Sequence, residues 1–454
     1  MATLAADAHG RLRPRSAGAA AVGAGFLGLV VAAALYRFPP PLALALAGGV
    51  AMIAVLALAV ARYHAAVALG FALLGVVVIE PAPADGVFVV VMAVALVSRR
   101  FRLNAVPLPV IVALGALAVL NLLSAVQVAD PERAASYFLI SVFVVAIGLW
   151  LPSYVVTSGR ARLVVRAYLV AAVSSAALGV LALFAPVPGA EVLVEGGRAQ
   201  ALFQDPNVFG PFLIPPLLIV VEEIVQPRLL PARLVTKVVI AAILVLGVLF
   251  SYSRGAWLNL AVALVVMGAA LSLRRGGARR ALGLLAVLGI AAAVVAGTVA
   301  ATGSGDFLAE RAQPQRYDQQ RFGGQRAGVE PALRYPFGAG PGQFESVAQI
   351  SAHSSYARVL GEQGFLGLLA LLALLAFTLG VGLKNAARGR GTYGIGSAAL
   401  LGAWCGLLVN SFVVDTLHWR HLWIVAALIW VGAMRRYGPG TPLAMRSGIS
   451  APRE

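Results

Sequence analysis

The sequence predicts an all-α polytopic integral membrane protein with about 12–14 transmembrane helices and one large external loop. Three observations carry that prediction. Of 454 residues, 60% are hydrophobic and only 12% charged, against roughly 25% charged in ordinary soluble domains. Apolar runs of about 18 residues or more recur along most of the chain. The basic residues also alternate between successive connections, as they do in multi-span proteins. A water-soluble enzyme and a disordered chain are both excluded. The net charge of +17 would suggest nucleic acid in a soluble protein; here it reports loop orientation, and no nucleic-acid partner is expected. The single cysteine, Cys405, lies in an apolar stretch and rules out a disulfide framework. All but two of the basic residues, Lys237 and Lys384, are arginine.

Taken in order, the spans fall at 18–36, 41–61, 64–80, 86–98, 107–127, 135–151, 162–185, 208–222, 234–252, 255–273, 281–301, 362–383, 395–414 and 420–434. The first follows a basic start and carries Ala32-Ala33-Ala34, which resembles a cleavage site. Its apolar run is longer than the roughly 7–15 residues of a signal peptide core, so it reads as a retained span. The fourth is short for a hydrocarbon core of roughly 30 Å, yet charge supports it: without it Arg62 and Arg99 would fall on opposite faces. With a cytoplasmic N-terminus and alternating spans, 24 of the 35 basic residues fall inside. Of the 11 outside, six lie in the long polar segment 302–361, which the orientation rule largely ignores. Acids distribute the other way, 4 inside and 14 outside. The expected organisation is a cytoplasmic tail at 1–17, transmembrane helices 1–11 within 18–301, a large external loop at 302–361, helices 12–14 within 362–434 and a cytoplasmic tail at 435–454. No internal repeat, and no interrupted helix of the kind found in transporters, is evident.

Four polar clusters stand out, and the topology puts all of them on the outer face. The first, Arg198 to Asn207, reads RAQALFQDPN. Asp205-Pro206-Asn207 is a helix-start signal, since Asp caps free N–H groups and Pro suits the first turn; a plain cap explains Asp205 without any chemistry. The second, FSYSRGAW, joins the ninth span to the tenth and holds Ser253 and Arg254. A charge at the membrane boundary is costly unless it snorkels or meets an anion. Tyr252 and Trp257 fit a snorkelling arginine, but the scarcity of arginine in the outer loops favours an anion site. The third, YPFGAGPGQF, contains Gly340 and Gly342 and is a shaped turn, either rigid structure or a cradle for a phosphate or sugar. The fourth, HSSYARVLGEQGFLG, leads into the twelfth span with His353, Ser354, Tyr356 and Glu362. Histidine titrates near neutrality and can act as a base, although a lone histidine is more often structural. Asp415, His418 and His421 lie in a Trp-rich interfacial turn and read poorly as a metal set. Glu222 and Glu223 read as a solvated cytoplasmic helix end. No phosphate-binding Gly-rich fingerprint and no DxD-like pair occurs among the outer clusters.

In this order the clusters resemble the O-antigen ligase and Wzy-type polymerase superfamily of bacterial membrane glycan ligases and polymerases. Its members carry a DPN or NPN element after an arginine, then SRG at a helix junction. A large periplasmic loop follows with P-x-x-G-x-G-P-G-x-F, then H-[NS]-S-Y-x(5)-E-x-G-x-x-G. Here these are Arg198 with Asp205-Pro206-Asn207, Ser253-Arg254-Gly255, Pro336 to Phe344, and His353-Ser354-Ser355-Tyr356 through Glu362, Gly364 and Gly367. The resemblance covers roughly residues 195–415; Ser354 departs from the commoner asparagine, and fourteen spans exceed the usual twelve or so. It implies a C-type glycosyltransferase-like fold in the bacterial inner membrane, with both termini cytoplasmic and the active site facing the periplasm. It implies transfer of a glycan from a polyprenyl-diphosphate carrier, undecaprenyl in the family, to an acceptor hydroxyl on lipid A–core or another envelope molecule, with inversion and no metal or other cofactor. His353 would be the base; Arg254, Arg198 and Arg321 would hold the donor diphosphate. Asp205, Asn207, Ser253, Gly340, Gly342, Ser354, Tyr356 and Glu362 would support them. Expected partners are the lipid-linked donor, a lipid or glycan acceptor and membrane lipids. The motifs suit ligase and polymerase alike. A polysaccharide flippase or anion transporter is the reading from another class, and the long loop ending in histidine speaks against it.

Overall fold

The computed structural model describes residues 42–185, 188–274, 277–313, 323, 325, 326 and 328–434. The expected first span, both tails and Arg321 lie outside them. The chain is all-α. Its helices are α1 (Leu42–Ala61), α2 (Tyr63–Ala72), α3 (Pro83–Val97), α4 (Leu108–Ser124), α5 (Pro131–Tyr154), α6 (Ser158–Phe184), α7 (Pro206–Val225), α8 (Leu234–Phe250), α9 (Arg254–Ser272) and α10 (Gly277–Thr302). The short α11 (Gly305–Ala312), α12 (Val329–Arg334) and α13 (Phe344–Ala348) precede α14 (Ser355–Ala387), α15 (Ser397–Asn410) and α16 (Arg420–Met434). Six of them, α5, α6, α7, α9, α10 and α14, are long and apolar enough to cross a membrane, so the chain is an integral membrane protein. The expected fourth span is a helix, α3, whose inner face is buried at Val87, Phe88, Val90 and Val91.

Helix α7 is the axis of the bundle, packed by α6, α8, α9, α15 and α16. The tightest pair is α9 with α15, antiparallel and close because one side of each contact is small. A Cβ at Gly406 would lie 2.1 Å from Asn259 Oδ1, one at Gly402 2.4 Å from the Ala263 carbonyl, and one at Gly255 3.0 Å from Asn410 Oδ1. Small residues spaced four apart let backbones approach in this way.

Several expectations are corrected. The third span ends as helix at Gly75, where the chain leaves to pair with the 200s loop; Val77 N–H donates to the Leu202 carbonyl at 2.7 Å. The segment 302–361 is not plain loop, since α11, α12 and α13 lie in it. The following helix begins at Ser355 rather than 362 and is interrupted at Gly364 (φ 68°, ψ −170°), so an interrupted helix is present after all. A two-stranded hairpin, β1 (Val194–Glu195) with β2 (Arg198–Ala199), also interrupts the helical pattern. Glu222 and Glu223 are buried, at 2% and 4% exposure, and organise the Arg-rich end of the bundle. Glu222 accepts from Ala399 N–H at 2.7 Å, capping α15, and faces Arg274 at 3.6 Å. Arg274 also donates to the Ala386 carbonyl and to Ser397. Glu223 accepts from the N–H groups of Arg228, Leu229 and Leu230 and pairs with Lys237 at 3.1 Å. Glu222 buries here on the free N–H groups of a helix start and Glu223 on those of the loop after α7.

Candidate active site

At the end of the bundle away from these arginines the four clusters form two bonded pairs, the first with the second and the third with the fourth. Gly196 and Gly197, at φ 54° and 75°, form a two-residue hairpin turn that glycine adopts most readily. The turn folds Arg198 back onto the junction between α8 and α9. Its Nε donates to the Ser251 carbonyl at 3.0 Å, and a terminal nitrogen donates to Asn207 Oδ1 at 3.0 Å. Asp205 caps α7, accepting from Asn207 N–H at 2.7 Å, with Pro206 as the first helical residue. Asp205 is therefore a structural cap, and Asn207 is its link to Arg198. On the other side of the junction Ser253 caps α9, accepting from Ala256 N–H at 3.3 Å. Arg254 is the first residue of that helix, half-buried, and donates to the Gln313 carbonyl at the end of α11 at 3.1 Å. A cation at a helix N-terminus opposes the helix dipole, whereas an anion placed there is stabilised by both.

The start of α14 is pinned just as firmly. Ser354 caps it, accepting from Ala357 N–H. Ser355 N–H donates to the Ser411 carbonyl at 3.0 Å and its hydroxyl to Asp415 at 3.0 Å, while Tyr356 donates to the Leu408 carbonyl. His353 precedes the cap, half-buried, at φ 33°. A non-glycine residue at positive φ is uncommon and persists where its surroundings hold it there.

The Gly-rich turn is the rigid alternative. Gly338, Gly340 and Gly342 all have positive φ, and the turn docks into the interruption of α14. Ala339 and Gly340 N–H donate to the carbonyls of Gly361 and Glu362, at 2.9 and 3.0 Å, and Phe344 N–H donates to the Glu362 carboxylate at 3.4 Å. A Cβ at Gly338 would fall 2.2 Å from the Glu362 backbone. These three N–H groups are taken up by the protein itself.

Sequence reasoning missed the hub of this end. Arg358 pairs with Glu345, with Glu362 at 2.9 Å and with Asp415 at 2.7 Å, and lies over the Tyr137 ring at 5.3 Å. Arg133 joins Glu345 at 2.8 Å, and Gln343 bonds the Asp130 backbone in both directions. Starting the twelfth span at 362 leaves Arg358 in the loop, so its i, i+4 relation to Glu362 emerges only with the helix start at Ser355. Burial alone would raise the Glu345 carboxyl, but the hydrogen bond and charge of Arg358 outweigh it and hold its pKa below the ordinary value. His418 bonds Ser141 at 2.9 Å and sits against Tyr137, and burial holds its pKa below the ordinary imidazole value. His421 packs instead on Trp419 and Phe212. The two histidines thus face different neighbours.

The two reactive-looking elements converge on the end of α15. Gly255, beside Arg254, packs on Asn410, and Ser355, beside His353, bonds Ser411. Comparison with known families adds one finding. Residues 239–372 match the family model described as O-Antigen ligase. That is less than a third of the chain, and it includes Arg254, the Gly-rich turn, His353 and Glu362. Arg198, Asp205, Asn207 and Asp415 lie outside it. No curated protein matches the chain.

Proposed function

We propose, from the premise that residues 239–372 form an O-antigen ligase segment, that this end of the bundle transfers a glycan from a polyprenyl-diphosphate carrier to an acceptor hydroxyl. The observation that carries the reading is the convergence of the Arg254 junction and the His353 cap on Asn410 and Ser411. His353 takes the proton of the acceptor hydroxyl as its oxygen attacks the anomeric carbon. The bond from that carbon to the diphosphate oxygen breaks, and the polyprenyl diphosphate leaves with the electron pair. A diphosphate is a weak base and needs no proton to leave, but its growing charge needs stabilising. Arg254 and Arg198 supply permanent charge and paired N–H donors suited to phosphate oxygens, in a site where such interactions exceed their worth in bulk water. One direct displacement inverts the anomeric centre. Arg321 belongs with them as a third donor contact. Ser253, Ser354, Asn207 and Glu362 act by holding these groups in place.

Within this reading a ligase moving a finished glycan to lipid A–core or another envelope acceptor is favoured, with a polymerase that extends a lipid-linked chain as the alternative. The site lies on the periplasmic face of the inner membrane in either case. His353→Ala, compared with wild type on a labelled lipid-linked donor, is the direct test: transfer should fall by about 10²–10⁴-fold while the protein remains inserted and folded. Undiminished transfer removes His353 as the base. The interruption at Gly364 is the one feature that favours transport instead, and movement of intact donor across a vesicle without chemical change would support that second reading.

A further inference from the structure

At the Arg-rich end, α1, α2 and α6 border an open lateral groove of about 660 Å³ that the proposed transfer does not use. Its walls are apolar, including Leu58, Ala65, Leu69 and Val170, and two arginines, Arg162 and Arg166, line it as well. These arginines lie one turn apart on the same helix, an arrangement of like charges that destabilises a helix by roughly 0.2–0.5 kcal/mol unless an anion relieves it. Arg162 is held through Nε, which donates to the Leu229 carbonyl at 2.8 Å, leaving its terminal nitrogens to face a second group. The described carboxylates at this end are committed elsewhere, Glu222 to α15 and Arg274, Glu223 to Lys237 and the loop after α7. No protein anion among the described residues therefore neutralises the pair. Along α6 the groove extends from Gly159 to Val170, about 16 Å at 1.5 Å per residue. That is close to one leaflet of a roughly 30 Å hydrocarbon core; Arg162 lies about 4.5 Å and Arg166 about 10.5 Å from its Gly159 end.

We infer that the groove is a binding site for one anionic glycerophospholipid, its phosphate between Arg162 and Arg166 and an acyl chain along α2 and α6. Small side chains at Ala65, Ala68 and Ala72 line the α2 side of the groove. Two guanidinium groups at a headgroup plane favour an anionic lipid over a zwitterionic one.

The test uses the purified full-length protein in micelles containing equal amounts of dioleoyl phosphatidylglycerol and dioleoyl phosphatidylcholine, with retained lipid counted by native mass spectrometry. Wild type should retain the glycerol lipid by about tenfold over the choline lipid. Arg162→Gln with Arg166→Gln should bring the two to near parity. Because Arg162 also anchors Leu229, Arg166→Gln alone serves as the variant that leaves that contact intact, and it should reduce the preference. Ala65→Phe, which keeps both charges but fills the groove, should lower retention of the glycerol lipid. Equal retention of both lipids by wild type, or an unchanged preference in Arg166→Gln, overturns the assignment. So does a dimer that Ala65→Phe dissociates with no loss of lipid, which gives the groove to a second copy of the chain.

Discussion

Arg358 touches carboxylates on three separate segments, Glu345, Glu362 and Asp415. Removing one partner from such a buried cluster leaves uncompensated charge, at a cost of about 3–5 kcal/mol. Arg358→Ala should therefore lower the apparent Tm in detergent markedly, and Arg358→Lys, which keeps charge without the planar fork, should recover only part; an unshifted Tm in Arg358→Ala would show that the cluster is not structural. Glu345 adds a pH dependence. Its pKa is held below the ordinary 4.5 in the folded state, so its contribution is complete above that value and is lost as pH falls through the depressed one. Glu345→Gln should flatten the acid limb of stability below about pH 4.5, and an identical acid limb in the variant would refute the assignment. At this scale the sequence was informative where a residue acts through its neighbours in the chain. Asp205 as a cap is the local case that the sequence offers; Ser253 and Ser354 cap their helices as well. Arg358 with Asp415, or Arg133 with Glu345, pairs residues far apart in the chain, and no local signal marks them.

The interruption of α14 at Gly364 positions the Gly-rich turn, and the turn in turn fixes Glu362 and Phe344. Gly364 has φ 68° and ψ −170°, and a Cβ there would meet the Pro336 carbonyl at 2.4 Å. Gly364→Ala should cost on the order of 1–3 kcal/mol from backbone strain alone, seen as a lower apparent Tm and weaker transfer; an unchanged Tm would mean that the turn does not hold the break. Apolar run length located most helices well, because the core of a membrane demands it. It could not locate this break, which depends on a turn more than twenty residues earlier. Nor could it foresee that the third span ends at Gly75, where pairing with Leu202 substitutes for helical bonds.

Across the whole molecule, the acids Glu222 and Glu223, which the charge pattern reads as solvated, are buried keystones of the Arg-rich end. They looked solvated because a pair of glutamates after an apolar run usually is. Their partners, Ala399, Arg274 and Lys237, come from three other helices or their ends. Glu222→Ala should lose the cap of α15, about 0.5–2 kcal/mol, and leave Arg274 buried without its carboxylate, so its Tm should fall further than that of Glu222→Gln. The central claim is that glycan leaves a polyprenyl diphosphate through Arg254 and His353. Its most direct measurement follows labelled glycan on a polyprenyl-diphosphate donor incubated with purified protein and envelope acceptors, comparing wild type, Arg254→Ala and His353→Ala. The account predicts that wild type moves label off the carrier, that Arg254→Ala is slower by about 10²–10³-fold, and that His353→Ala is nearly inactive, with a single product band for a ligase and a ladder for a polymerase. Label that stays on the carrier with folded wild type, or that leaves it equally well in both variants, would contradict it.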